Sequence, residues 1–410
     1  MDPVRRHSFC RLCHSDSVSD ILDFGESPLA NSYLQKEDIE RAEFTAPLAV
    51  MQCNDCGSAQ LRYSVEGSRM FSHYLYASSD SGSVQAHFDS YASHVVEKLA
   101  LTRGSFAVDV GSNDGVLLEP LQKIGLEVLG VEPAANLCER SRARGCNVFN
   151  GFFNQEVAST LPRPADLVTC NNCFAHIDDL EEIIQGVHLA LKEGGVFVFE
   201  NAYLLDTIKY KYFDQVYHEH VFYHSVKPLR LFLARHGFNI IDIERNNSQG
   251  GSIRVYCRKA EDSVESPLVA ETIRNEEEFG LYSPELYVRF NEQLSLLKAE
   301  FTQLIEDGRK QGLTFCGYGA PAKATLFCKY FGLDKTILEY IVDDAVLKQG
   351  LFMPGTQVPI VGADHFRRYP ADFAILTAWN FADLIRSRNK DFKGKWIVPF
   401  PEIHVHPNAF

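Results

Sequence analysis

A chain of 410 residues with 45% hydrophobic and 12% aromatic content can build more than one buried core, so two large domains plus an accessory unit are expected. Its net charge of -14 argues against a surface for a phosphate backbone, and nucleic acid is not an expected partner. No secretory-type leader opens the sequence and no uninterrupted apolar window of about 18 residues occurs, so no membrane partner is expected and a cytoplasmic location is predicted.

Residues 1–75 read as short elements broken by polar turns, with little apolar core of their own. Four of the eleven cysteines form two Cys-x-x-Cys pairs there, Cys10 with Cys13 and Cys53 with Cys56; the other seven are scattered. In a reducing compartment this spacing favours a closed structural zinc site over disulfides, the alternative being four unliganded thiols. The 39 residues between Cys13 and Cys53 make a longer loop than a compact zinc ribbon has. A helical pattern from Ser78 to about Leu101 is followed by apolar runs alternating with helical stretches: FAVDV (106–110), EVLGV (127–131), DLVTC (166–170) and VFVFE (196–200). That alternation predicts a parallel sheet with helices on both faces. FNIIDI (238–243) and SIRVYC (252–257), separated by a polar turn, fit an antiparallel pair closing the sheet.

Residues 260–282 are charged and poorly periodic and read as a connection. Ser283-Pro284 then opens a long amphipathic helix, with Tyr287, Phe290, Leu294, Leu297, Phe301, Leu304 and Ile305 on one face until Gly308. A second α/β alternation runs through LTFCG (313–317), LEYIV (338–342), DFAIL (372–376) and WIVP (396–399). The chain thus holds two units that each run strand, glycine-rich turn, helix.

In VDVGSNDG (108–115) the strand ends at Val110, and Gly111 and Gly115 let the backbone turn tightly while a ligand approaches; Asp109, near the end of the strand, and Asn113, in the loop, are further expected cofactor contacts. Glu132 ends the next strand, 21 residues after Gly111, where a doubly wound fold places a carboxylate for two ribose hydroxyls. A dinucleotide site is the alternative, but the full G-x-G-x-x-G pattern that meets a pyrophosphate is missing, and S-adenosylmethionine carries no phosphate to need it. Asn171 and Asn172 follow DLVTC at the carboxyl edge of the sheet, as cofactor contacts or as turn residues.

YHEHVFYH (217–224) packs three imidazoles, one carboxylate and two phenols into eight residues. Its spacing is not the H-E-x-x-H of a metal-binding helix, and acid–base work beside a carbonyl fits better, with Glu219 expected to fix the tautomer of a neighbouring imidazole. At least one of these histidines, His224 first, is expected to be a satisfied core residue. In FCGYGAPAKA (315–324), Tyr318, Gly319 and Lys323 can line a phosphate-bearing ligand. Asp343 ends the next strand, and Trp379 and Asn380 follow a third, where they can stack on and bond to a base or sugar; purely local roles are the alternative for each.

These residues together resemble the sugar C-methyltransferases that act on nucleotide-linked 4-keto deoxysugars. The resemblance runs nearly end to end: the two Cys-x-x-Cys pairs, SPLANSYL (27–34), YLYASSDSGSVQAHF (74–88), VDVGSNDG, AHIDDL (175–180), FDQVYHEHVFYHS (213–225), GGSIRV (250–255), GYGAPAKA (317–324), VDDAVLKQG with PGTQVPI (342–360), and TAWN (377–380). It implies an α/β protein: a zinc-binding domain (1–75), a class I S-adenosylmethionine-dependent methyltransferase domain with a doubly wound sheet (76–260), a connecting segment and long helix (261–309), and a Rossmann-like domain that helps hold the nucleotide sugar (310–410). It implies His220 as the base with Glu219 beside it, Tyr217 and Tyr76 lining the sugar, and His176 near the ketone. Two positions depart from the family pattern, Gln249 in place of a histidine before the GGS turn and Pro321 in place of a small residue.

The reaction expected is removal of the C3 proton next to the 4-keto group by His220 and attack of the resulting enolate carbon on the sulfonium methyl, in deoxysugar biosynthesis, with zinc structural. The rivals are O- or N-methylation of a small metabolite and a non-catalytic scaffold that binds adenosylmethionine and nucleotide. Nothing in the sequence specifies an oligomer, and a monomer is compatible with it.

Overall fold

The computed structural model describes residues 3–71, 77–259 and 264–407. Three larger sheets organise them, beside a two-stranded antiparallel pair of Val4–Arg6 with Tyr63–Val65. The central one has seven strands in the order Phe238–Asn246, Ser252–Lys259, Leu191–Ala202, Ala165–Asn171, Phe106–Val110, Glu127–Glu132, Val148–Asn150. Its middle strands are parallel and largely buried, Phe106–Val110 throughout its length, as a sheet covered on both faces requires. Ser252–Lys259 runs antiparallel between Leu191–Ala202 and Phe238–Asn246, the closing pair expected from the sequence. Helix Gly82–Lys98 lays Phe88, Tyr91, Ala92 and Val95 on one face of this sheet.

A second α/β sheet is built from Ile360–Val361, Leu338–Val342, Phe315–Tyr318, Phe373–Leu376, Lys395–Val398 and His404–Pro407, parallel except for the last. The amphipathic helix spans Pro284–Lys310 and buries Tyr287, Phe290, Leu294, Leu297, Phe301 and Ile305, the predicted stripe. The segment read as a connection is instead partly helix, Pro267–Glu278. Ser266 accepts the Leu268 amide at its start, and the inward positions are Val269 and Glu276. The apolar period is missing because one inward residue is a carboxylate, fully buried and hydrogen-bonded to Tyr203 and to the Val226 and Lys227 amides.

The N-terminal sheet has four antiparallel strands, Phe222–Tyr223, Ala59–Leu61, Thr45–Cys53 and Val18–Pro28. The long loop between the cysteine pairs is thus a hairpin, and its register sets Val18 opposite Cys53. The edge strand comes from the middle of the chain, from inside the histidine cluster, directly after His220-Val221.

Candidate active site

The hairpin brings Cys10, Cys13, Cys53 and Cys56 together with all four sulfurs within 4.8 Å of one another. Two pairs lie at 3.7 and 3.5 Å, close to the ~3.8 Å edge of a tetrahedron with 2.3 Å metal–sulfur bonds. Hydrogen bonds from Cys56 and nearby amides hold the Cys10 thiol down at about 5, and Gln60 adds a further donor 3.2 Å from its sulfur. The residues fit a closed zinc site and hold no position open for chemistry.

At the carboxyl edge of the central sheet, Gly111 adopts φ 70° and a Cβ there would lie 2.5 Å from the Cys173 sulfur, so glycine is required. Glu132 accepts the amides of Asn113 and Ala134, one on each oxygen, both at 2.9 Å. The Asn113 side-chain oxygen in turn accepts the amides of Ser78 and Asp114. Asp109 accepts from Thr169 at 2.6 Å, and burial pushes its carboxyl up to about 7. Asp109, Gly111, Asn113, Glu132, Asn171 and Asn172 all face one cavity; Gly115 lies behind it, against Ser141.

The histidine cluster divides. His220 has its Nδ1 2.7 Å from the Gln215 carbonyl and its Nε2 2.7 Å from the Tyr217 hydroxyl. A carbonyl only accepts, so Nδ1 carries the proton and Nε2 accepts from Tyr217. Burial lowers the imidazole to about 4, which keeps it neutral. The His176 ring lies 5.0 Å from that of His220 and is likewise held neutral by burial. Glu219 does not orient His220, contrary to the sequence reading: its carboxylate accepts from Asn31 at 2.6 Å, while the Gln215 carbonyl occupies Nδ1. His218 faces the Ala46 carbonyl, and His224 is buried against Phe174 as expected of a core residue, but its Nε2 has no hydrogen-bond partner among the described residues, so it is not a satisfied one. Tyr76 lies outside the described residues.

Across the cavity the second glycine loop supplies Tyr318, Gly319 and Lys323, and the ends of the two neighbouring strands supply Asp343 and Asn380. Gly319 has φ 96°, and a Cβ there would come within 2.2 Å of Ala378. Asp343 accepts the Ala320 amide at 2.7 Å and the Ala345 amide at 2.8 Å. Lys323 donates to Asn380 at 2.7 Å, and burial, opposed by Asp214, brings its ammonium down to about 8. Trp379 corrects the sequence reading: it is not on the cavity wall and cannot stack on a base. Tyr212 stacks on one face at 4.0 Å, the Lys323 ammonium sits over the other at 3.6 Å, and the indole N–H is donated to Asp214.

The cavity measures about 790 Å³ and is continuous from the first glycine loop past His176, Tyr217 and His220 to the second. Several of its residues escaped the sequence reading. Lys348 is buried, donates to the Ala320 carbonyl at 2.8 Å and lies 3.8 Å from Asp343. His87 lines the wall within 2.8 Å of Glu200, which also pairs with Arg254. Cys173 belongs to a third Cys-x-x-Cys spacing, with Cys170, which sequence inspection could have found. Neither Lys348 nor His87 stands out by residue type or spacing.

Three family models match the chain: a zinc binding domain over residues 10–71, a methyltransferase domain over 84–243, and a C-methyltransferase C-terminal domain over 247–401. C-methyltransferase NovU of Streptomyces niveus is 34% identical over 411 aligned residues, covering 98% of each chain. Ubiquinone biosynthesis O-methyltransferase of Methylococcus capsulatus is 30% identical over 120 residues, 27% of this chain and 51% of that one. The solved structure of magnesium protoporphyrin IX methyltransferase from Synechocystis PCC 6803 with bound SAM is 16% identical, with 43% of this chain and 79% of that chain covered at a TM-score of 0.34. No helix among the described residues is long and apolar enough to cross a membrane.

Proposed function

Because this chain belongs to the zinc-binding, S-adenosylmethionine-dependent C-methyltransferase family, we propose that its acceptor is a nucleotide-linked 4-keto-deoxysugar, methylated on carbon at C3. The observation that carries this reading is the single cavity, which has a cofactor loop at one end, neutral imidazoles in the middle and a second glycine loop with a buried lysine at the other. A small acceptor would need only the first two. The nucleotide lies along Tyr318, Gly319, Lys323, Asp343 and Asn380, and its sugar reaches Tyr217, His176 and His220.

A ketone at C4 acidifies the C3 proton, and His220 Nε2 takes it. The Gln215 carbonyl makes this possible by fixing the proton on Nδ1. Burial keeps the imidazole neutral and ready to accept, but the same burial weakens it as a base, so the developing enolate oxygen must be stabilised. Once Nε2 is protonated it no longer accepts from Tyr217, and that hydroxyl turns to the enolate oxygen. His176, neutral and beside it, is the second donor to that oxygen. When bound, adenosylmethionine would supply an electrophilic sulfonium methyl to the C3 carbon, with S-adenosylhomocysteine as the leaving group. Asp109, Gly111, Asn113, Glu132, Asn171 and Asn172 are the residues that would hold it.

The test is incubation with adenosylmethionine and dTDP-, GDP- and CDP-linked 4-keto sugars, with the product examined by mass spectrometry and NMR. The expected product gains one CH2 on carbon; a methyl on oxygen refutes the reaction class. His220→Asn is expected to bind adenosylmethionine normally and to lose turnover, and full turnover in that variant refutes the base.

A further inference from the structure

Arg11 stands between the first two zinc-ligating cysteines, yet its side chain is turned into the protein, with only 8% of it exposed. Burying a guanidinium is expensive unless its donors are satisfied. Its Nε and its own backbone N–H both donate to Gln60 Oε1 at 3.0 Å, and Gln60 Nε2 donates to the Cys10 sulfur. One terminal nitrogen reaches the carbonyls of Leu61 at 2.8 Å and Val221 at 3.4 Å. The other forms an ion pair with Asp178, and the guanidinium lies 4.7 Å over the Phe222 ring.

These contacts fall on two particular segments. Asp178 is two residues beyond His176, and Val221 directly follows His220. Both Asp178 and Val221 are on the cavity wall. The zinc domain grips the same segment elsewhere: the Leu61 amide donates to the Val221 carbonyl at 2.8 Å, Phe222 pairs with Gln60, and Asn31 holds Glu219. An apolar side chain would dock two domains without the cost of a buried charge. A planar fork suits a place where two separate segments are held at a fixed distance from one another.

We propose that Arg11 is a positioning residue that ties the four-sulfur site to the His176 and His220 segments and fixes the separation of the two imidazoles. This rests on His220 being the base. The zinc domain is then part of the active-site geometry, and Gln60 carries the link from the Cys10 sulfur to the guanidinium.

The experiment uses zinc-loaded protein labelled with 13C at the histidine Cε1, as wild type, Arg11→Lys and Asp178→Asn. The resonances of His176 and His220 are assigned from their own Asn variants, and His94, exposed and paired with Glu244, is the internal control. Arg11→Lys keeps the charge and loses the fork. It is expected to move the His176 and His220 resonances but not that of His94, and to lower turnover about 10- to 100-fold, the usual cost of removing an outer-shell partner. Zinc content and adenosylmethionine affinity are expected to stay unchanged. Asp178→Asn removes the carboxylate charge that faces Arg11, and with it the charge facing His7 and Ser64, and gives the same direction should Arg11→Lys not fold. Unmoved resonances, or wild-type turnover in Arg11→Lys, overturn the proposal. The resonances need no acceptor: if they shift while no keto sugar is turned over, the substrate assignment falls and the positioning role stands.

Discussion

Replacing Gly111 with alanine should weaken adenosylmethionine binding by an amount that depends on Cys173. Two costs are separable. Holding a side chain at φ 70° costs about 1–2 kcal/mol. The new Cβ would also sit 2.5 Å from the Cys173 sulfur and 2.9 Å from its Cβ, contacts that require one side to move and cost about 1–3 kcal/mol as overpacking. The loop relieves both by shifting off the cofactor, so the combined penalty of about 2–5 kcal/mol appears as a loss of affinity of about 30-fold or more. In a Cys173→Ala background the sulfur is gone but the 2.9 Å Cβ contact remains, so rescue is partial. The coupling between the two sites should be about 1 kcal/mol or more. Titration calorimetry of adenosylmethionine into the wild type, both single variants and the double variant measures it, with circular dichroism confirming the fold. Gly111→Ala binding as the wild type does, or strictly additive penalties, would refute the loop geometry.

Acid should destabilise the protein through its buried imidazoles, opposed in part by Asp109, whose carboxyl, raised by burial to about 7, takes up its proton more readily in the folded chain. Burial lowers His218 and His220 from 6.5 to about 4 and His224 to about 3, so between those limits the unfolded chain binds protons that the folded one refuses. The imidazole contribution is therefore complete above about pH 6.5 and falls as the pH drops toward 4, by up to about 3 kcal/mol for His220 alone. Urea midpoints measured from pH 7.5 to 5 should decline, and a flat profile contradicts the burial of these rings. Trp379→Ala should cost about 3–5 kcal/mol in stability, because it empties a packed site and strands the fully buried Asp214 carboxyl. If thermal unfolding is unchanged and only sugar-nucleotide binding is lost, Trp379 meets the ligand after all.

What could be read from the sequence was local. The turn at Gly111 and Gly115 and the carboxylate of Glu132 depend on φ values and strand ends within one stretch of chain, and they stand where expected. The stripe on Pro284–Lys310 was equally legible, because one apolar face meets one surface. Failures came where a partner lies far along the chain. Glu219 is adjacent to His220, but successive residues in this irregular segment point to different neighbours, so it meets Asn31 while a carbonyl five residues back takes the imidazole. Trp379 carried the composition of a stacking platform, and only the tertiary fold puts Tyr212 and Lys323 on its two faces. Nor does the pattern of Phe222 and Tyr223 say that they extend the zinc domain's sheet.

The stretch from Tyr212 to Lys227 explains why three domains are needed for one cavity. Apart from a single 3-10 turn and a two-residue strand, residues 212–225 have no regular structure, so their polar groups find no partners in a helix or a long ladder. Each third of the stretch is held by a different unit. Trp379 of the C-terminal domain stacks on Tyr212 and bonds to Asp214. The zinc domain takes His218 through Ala46, Glu219 through Asn31, and Val221 through Leu61. Glu276, on the helix that follows the methyltransferase sheet, receives the Val226 and Lys227 amides. The proposed base is carried on a loop, and a side chain so placed gains precision only when its support comes from rigid elements around it. Here those elements belong to three units, so the position of His220 is a property of their assembly, and loosening any one contact should reach the imidazole before it reaches the cofactor loop.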